Sequence, residues 1–290
     1  MKEDSSKAGR RRRFEFGRNW SEYLQNLGEF QMKRAEESLK SMLGVDELKG
    51  RTFLDIGSGS GLFSLAARRL GAKVHSFDYD PDSVECTAEL KRRFFEDDAD
   101  WVVERGSILD SDYLASLGLF DVVYSWGVLH HTGDIWKSAR NAASLAKPGG
   151  LVVVAIYNDQ GRSSRIWRHV KRIYVHTPGP FKWAILIPSL IRLWGTVTFK
   201  DLVKYGTLKT WKEYSFDRGM SPWHDLIDWV GGYPFEVAKP EQVINFMDSL
   251  GLLFVLAKTC GEGRGCNEFV FKKRTAPAKY KEPLDGNDKL

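Results

Sequence analysis

The chain has 290 residues, of which 42% are apolar, 28% charged and 13% aromatic, with 10 tryptophans. That balance excludes wholesale disorder and a fibrous fold, and it suits one large domain or a standard domain carrying an insertion. The formal charge of +5 is unevenly spread: residues 1–13 hold six Lys/Arg against two acids and residues 160–220 hold twelve against three, so the remainder is net acidic.

Residues 1–13 end in Arg10-Arg11-Arg12-Arg13 without apolar periodicity and read as a disordered basic tail. Over 14–47 the apolar positions Tyr23, Leu24, Leu27, Phe30, Met32, Ala35, Leu39, Met42 and Leu43 recur at three- and four-residue spacing, predicting a helical cover with Gly44 past its end. From Arg51 strands and helices alternate. Strands are expected at 52–56, 73–77, 101–104, 121–125 and 151–156, and helices at 62–70, 81–95, 113–117 and 135–145. Such alternation predicts a parallel sheet covered on both faces. Asp80 suits an N-cap before Pro81, and Lys147-Pro148-Gly149-Gly150 reads as a helix stop and tight turn.

The alternation breaks over 158–238, where Trp167, Trp183, Trp194, Trp211, Trp223 and Trp229 lie among basic and Gly/Pro residues with no strand period. This segment is expected to be a substrate-binding lid inserted into a core formed by 48–157 and 239–274. Arg162, Arg165, Arg168, Lys171 and Arg172 fall at helical spacing. They suit a solvated basic helix, a helix lying on an anionic membrane, or an anionic substrate; nucleic acid is the weakest option, because no RNA module is attached. Lys182, Pro188 and Arg192 interrupt the apolar stretch 181–199 and exclude a spanning helix. A helix at 241–250 and strands at 252–257 and 268–271 follow, the strands forming an antiparallel hairpin, and 275–290 reads as a flexible tail. Cys86, Cys260 and Cys266 are too few for a disulfide framework and lack zinc spacing, and no leader pattern opens the chain, so a cytoplasmic setting and no metal are expected.

The chemistry is concentrated in Phe53-Leu54-Asp55-Ile56-Gly57-Ser58-Gly59-Ser60-Gly61-Leu62, an apolar strand running through three alternate glycines into a helix. Glycines there let the backbone turn sharply and let a ligand approach, and the helix start offers N–H groups to a polar ligand. Asp78, at the end of the second strand, suits ribose hydroxyls. The dinucleotide pattern G-x-G-x-x-G is disfavoured, because its sixth position is Leu62.

With Phe77-Asp78-Tyr79-Asp80, Phe120-Asp121-Val122-Val123, Val128-Leu129-His130-His131 and Ala146-Lys147-Pro148-Gly149-Gly150 in order, the sequence resembles the class I S-adenosylmethionine-dependent methyltransferases, in particular their ubiquinone/menaquinone-biosynthesis-type subgroup. The resemblance implies an α/β, Rossmann-like, doubly wound seven-stranded sheet with an antiparallel last strand. It implies S-adenosyl-L-methionine as cofactor and S-adenosyl-L-homocysteine as product. Gly57, Ser58, Gly59 and Gly61 would then line the methionine part, Asp55 would orient the loop or reach the amine, and Asp78 would hold the ribose. Tyr79, Ser107 and Ile108 would bound the adenine, with Ser107 standing where many relatives have an acid, and Trp126 would lie near the sulfonium. For a hydroxyl acceptor a base is useful, and His131 is favoured over His130; Tyr157 and His224 are further candidates. The expected partner is a small-molecule or lipid-like acceptor methylated at oxygen, with peripheral contact to an anionic membrane and no nucleic acid. An RNA or protein methyltransferase and a non-catalytic cofactor-binding protein are the alternatives.

Overall fold

A computed structural model of the chain describes residues 14, 20, 24, 27–218 and 222–275. The basic tail 1–13 and all of the C-terminal tail beyond Thr275, both expected to be disordered, lie outside the described residues. The elements in order are α1 (Glu29–Leu43), β1 (Thr52–Ile56), α2 (Leu62–Arg69), β2 (Lys73–Asp78), α3 (Pro81–Phe94), β3 (Trp101–Arg105), α4 (Ser111–Leu117), β4 (Phe120–Trp126), α5 (Ile135–Ser144) and β5 (Ala146–Tyr157). There follow α6 (Arg162–His176), α7 (Trp183–Tyr205), α8 (Lys209–Arg218), α9 (Pro222–Gly231), α10 (Pro240–Ser249), β6 (Leu252–Lys258) and β7 (Cys266–Lys273).

The strands form one sheet in the order β3-β2-β1-β4-β5-β7-β6. β1 to β5 pair in parallel, while β7 runs antiparallel between β5 and β6. The chain winds outward from β1 to β3 and then restarts at β4 on the other side of β1. That reversal opens a crevice at the carboxyl ends of β1 and β4, where doubly wound folds bind ligands.

Both faces of the sheet are covered, so neighbouring residues of β1 enter different cores. Phe53 packs with α1, α2 and α3 residues such as Leu39, Leu65 and Leu90. Leu54 and Ile56 pack against α5 and α10 through Ala139, Ala142 and Met247. In α1 the buried Met32, Ala35, Leu39 and Leu43 repeat at helical spacing. Arg69 of α2 then clamps Glu29 at 2.6 Å and Glu36 at 2.8 Å. At the sheet's opposite end Asp121 accepts from Thr52 N, Thr52 Oγ1 and Lys147 Nζ, all at 2.8 Å, stitching β1, β4 and β5 together far from the crevice.

One local expectation changes and one is filled in. Lys147-Pro148-Gly149-Gly150 is not a turn ahead of β5; it lies inside the strand as an irregularity, with the register passing from Phe120↔Ala146 to Val122↔Leu151. Residues 158–238, which show no strand period and carry basic residues at helical spacing over 162–172, are mostly helical. Their buried Trp167, Tyr174, Leu186, Leu226, Val230 and Phe235 form a third, separate core.

Candidate active site

β1 ends where its backbone must turn back towards α2. Gly57 and Gly61 both take positive φ, 74° and 80°. A Cβ on Gly61 would stand 2.8 Å from the Thr87 backbone, and one on Gly57 2.5 Å from the Val128 side chain. Only glycine meets both demands. The turn is fixed from within: the Gly57 and Ser58 amides donate to Phe77 O at 2.8 and 3.2 Å, and Gly61 N donates to Ser58 O at 2.8 Å. The Ser58 and Thr87 hydroxyls pair at 2.8 Å.

Asp78, at the end of β2, accepts from Gly59 N at 3.0 Å and from Asp80 N at 2.9 Å. It therefore shapes the glycine turn as well as lining the crevice. Burial raises its pKa to about 6, against those backbone donors. Asp55 is buried on the α2 side of the sheet, where its Oδ2 accepts from Ser64 Oγ at 2.5 Å. Behind it a chain runs through Ser76 Oγ, which donates to Ser64 Oγ at 2.7 Å, to Trp101 Nε1, which donates to Ser76 Oγ at 2.9 Å. Burial raises the Asp55 pKa to about 7, with Ser64 opposing and Asp78 adding to the rise. The first turn of α2, expected to offer its amides to a ligand, is thus partly answered by Asp55, whose carboxyl also takes the Ser64 amide.

These groups open into a cavity of about 2110 Å³, well above the roughly 300–1,000 Å³ of a single-ligand pocket. Asp55, Gly57, Ser58, Gly59, Asp78, Tyr79, Ser107, Ile108, Trp126, His131 and Tyr157 all line it. Tyr79 is exposed under the Arg105 guanidinium, 5.7 Å from its ring centre. Ser107 Oγ accepts from Leu109 N at 3.2 Å. Trp126 turns its indole N–H to Glu268 on β7, at 3.2 Å.

The two histidines of the short 3₁₀ turn after β4 are separated. His131 lines the cavity, with Nδ1 2.7 Å from Pro234 O. A carbonyl only accepts, so Nδ1 carries the proton and Nε2 is the ring's basic nitrogen. Burial holds its pKa down to about 3, so the imidazole is neutral. His130 is fully buried, stacks on Tyr157 at 3.9 Å and accepts Tyr157 N through Nδ1 at 3.3 Å; it is not part of the cavity wall. The His224 side chain lies outside the described residues, but its neighbours Asp225 and Asp228 line the cavity. The polar run after β5 turns elsewhere: Asn158 and Gln160 donate to Gly261 O, Gly263 O and Glu262 O, tying down the β6–β7 turn.

Several residues in the wall or buried behind it had no signal in the sequence. Trp20 lies against the glycine turn, its indole 3.3 Å from where a Gly59 Cβ would stand. Tyr124 of β4 presents a buried hydroxyl without a hydrogen-bond partner among the described residues, close to the Asp55 and Glu268 carboxylates. Its position in a continuous apolar strand made it look like core. Lys171, read as part of a basic face, is buried instead. Its ammonium donates to Trp229 O and sits 4.2 and 4.7 Å from the Trp229 and Phe235 ring centres.

The family described as "Methyltransferase domain" matches residues 19–214, well over half of the chain, and the chain belongs to that family. The ubiquinone biosynthesis O-methyltransferase of Xanthomonas campestris pv. campestris (strain B100) is 32% identical over 167 residues, 57% of this chain and 61% of that protein. The protein of the same name from Methylobacterium sp. (strain 4-46) is 32% identical over 121 residues, 42% of this chain and 47% of its own. The match thus spans less than two thirds of these relatives' length. Among solved structures, magnesium protoporphyrin IX methyltransferase from Synechocystis PCC 6803 with bound SAH superposes with a TM-score of 0.52 at 12% identity, covering 88% of this chain and 94% of that one, a likeness of fold.

Proposed function

We propose that the protein methylates an oxygen of a small-molecule or lipid-like acceptor, with S-adenosyl-L-methionine as donor and S-adenosyl-L-homocysteine as product. The observation that carries this reading is the continuity of one cavity from the Asp78 carboxylate, past the glycine turn, to a chamber walled by Trp126, Tyr157 and Trp229. Its volume admits two ligands side by side.

The residues suit that donor. Asp78 keeps lone-pair capacity for ribose hydroxyls beyond the Gly59, Tyr79 and Asp80 amides it accepts. Tyr79 and Ile108 flank an adenine, with the Ser107 hydroxyl at its edge. Gly57, Ser58 and Gly59 bring bare backbone against the methionine part, Gly61 holds the turn against Thr87 without lining the cavity, and Asp55, Tyr124 and Glu268 gather acceptor groups for the ammonium. When bound, the donor supplies an electrophilic methyl carbon on a positively charged sulfur. Aromatic faces such as Trp126 and Tyr157 favour that charge by roughly 0.5–2 kcal/mol each. His131 Nε2 takes the proton of the acceptor hydroxyl, and His130 holds Tyr157 and the turn in place from below. The ubiquinone-biosynthesis names of the curated relatives favour a quinone-like hydroxyl among the acceptors.

Titration calorimetry with S-adenosylhomocysteine tests the binding half. Asp78→Ala removes hydrogen bonds to a charged group worth about 1.5–3 kcal/mol each, so affinity should fall by roughly tenfold or more per bond. Unchanged affinity in a variant with wild-type circular dichroism sinks the assignment. Transfer of a labelled methyl group to quinone-precursor phenols tests the chemistry.

A further inference from the structure

We propose that the outer face of α7 is a docking surface for an anionic lipid bilayer. Phe181, just before α7, and Trp183, Ile187, Ile191, Phe199, Leu202 and Val203 along it are all exposed, Phe199 by 69% and Val203 by 72%. Apolar residues in this number are not scattered singles; Trp183, Ile187 and Ile191 lie one turn apart and Phe199, Leu202 and Val203 continue along the outer side of the same helix. Arg192, Lys200 and Lys204 are exposed beside them on the same helix. No Asp or Glu occurs anywhere in residues 160–200. The next acid, Asp201, is buried and accepts from Thr210 N and Oγ1 at 2.6 and 2.8 Å.

An apolar stripe flanked only by cations matches the interface of a membrane with negative headgroups: the side chains enter the acyl boundary while the ammonium and guanidinium groups meet phosphates. A surface of another protein would need acids at matching places, whereas a bilayer supplies them everywhere. No helix among the described residues is long and apolar enough to cross a membrane, so α7 lies on the bilayer. The same helix also reaches the cavity. Leu193 and Trp194 line its wall one step from the exposed Ile191 and Arg192. At that rim Arg264 is depressed by burial and by repulsion from Arg192, a pair of guanidiniums that an anionic headgroup would relieve. Docking would therefore place the cavity next to the bilayer, and the acceptor would be an amphiphile drawn from it; this last step rests on the methyl-transfer reading.

Flotation of the full chain with vesicles of phosphatidylcholine alone, and of phosphatidylcholine mixed with phosphatidylglycerol, tests the docking without any donor. Strong binding to the mixed vesicles, weakened by high salt, is expected. Lys200→Gln and Lys204→Gln should each weaken it by roughly fivefold. Ile191→Glu/Phe199→Glu should abolish it while leaving S-adenosylhomocysteine affinity at the wild-type value, which separates this surface from the donor site. Equal partitioning to neutral and anionic vesicles, or unaltered binding by the double variant, overturns the proposal. So does a concentration-dependent dimer that the double variant converts to monomer, since the stripe would then belong to a second copy of the chain.

Discussion

Gly61 combines a φ of 80° with a Cβ position 2.8 Å from main-chain atoms of Thr87, which cannot yield as a flexible side chain would. Gly61→Ala should cost about 1–3 kcal/mol of stability, read as a lower denaturant midpoint, and should widen the turn against the donor. An unchanged midpoint would falsify the fit at this turn. The carboxylates give a second expectation. Asp78 titrates near 6 because burial penalises its charge. Hydrogen bonds from ribose hydroxyls are strongest to the ionised form, so affinity for S-adenosylhomocysteine should fall as pH drops through about 6. Asp78→Asn should flatten that dependence, whereas His131→Gln should keep it while slowing turnover, because His131 stays neutral down to about pH 3. Calorimetry across this range, paired with single-turnover rates, checks both. The glycines and Asp78 were legible because their residue types are forced by local geometry. The neutral, Pro234-bound state of His131 was not, since it depends on a carbonyl contributed from beyond α9, far along the chain.

At the scale of elements, the β/α alternation was readable because each strand is short, apolar and bounded by turn residues, so its period survives in the sequence. Helix α6 showed only as basic residues at helical spacing, and α7 only as an interrupted apolar stretch, for two reasons visible in the structure. α7 is apolar on its exposed side as well as its inner side, which erases the amphipathic signal, and Pro188 lies inside it. In α6, Lys171 carries a charge at an inward position, so it looked like one more member of the basic face. Its amine instead ties α6 to the end of α9 through Trp229. Burial lowers its pKa to about 7 from an ordinary 10.5, only partly offset by Asp228. The unfolded chain therefore binds this proton more tightly than the folded one. Stability should rise with pH between about 7 and 10.5, by about 1.4 kcal/mol per unit, and be insensitive to this group below 7. Lys171→Met keeps the stem and removes the titration. The difference in unfolding free energy between the two proteins should grow in wild type's favour across that interval, and parallel pH profiles would show that the amine is solvated.

At the scale of the whole molecule, two bodies meet across the cavity: the sheet with its two cores, and the helices of α6 to α9 with their own core of Trp167, Tyr174, Leu186, Leu226, Val230 and Phe235. Polar links join them, among them Glu236 N to His130 O at 3.0 Å and His131 Nδ1 to Pro234 O at 2.7 Å. A ligand lying between Asp78 on one body's strand ends and Trp229 on the other's helix touches both, so its binding energy is added to their cohesion. At a hundredfold excess over the dissociation constant, mass action adds about 2.7 kcal/mol, or about 4–5 °C in Tm for a protein of this size. S-adenosylhomocysteine should produce that shift in scanning fluorimetry and slow tryptic cleavage within 160–218, where Lys and Arg are dense. NAD should do neither, because Leu62 stands where a dinucleotide turn has its third glycine. An equal shift with NAD would mean that the strand-end crevice recognises nucleotides in general, and the methyl-transfer reading would lose its physical basis.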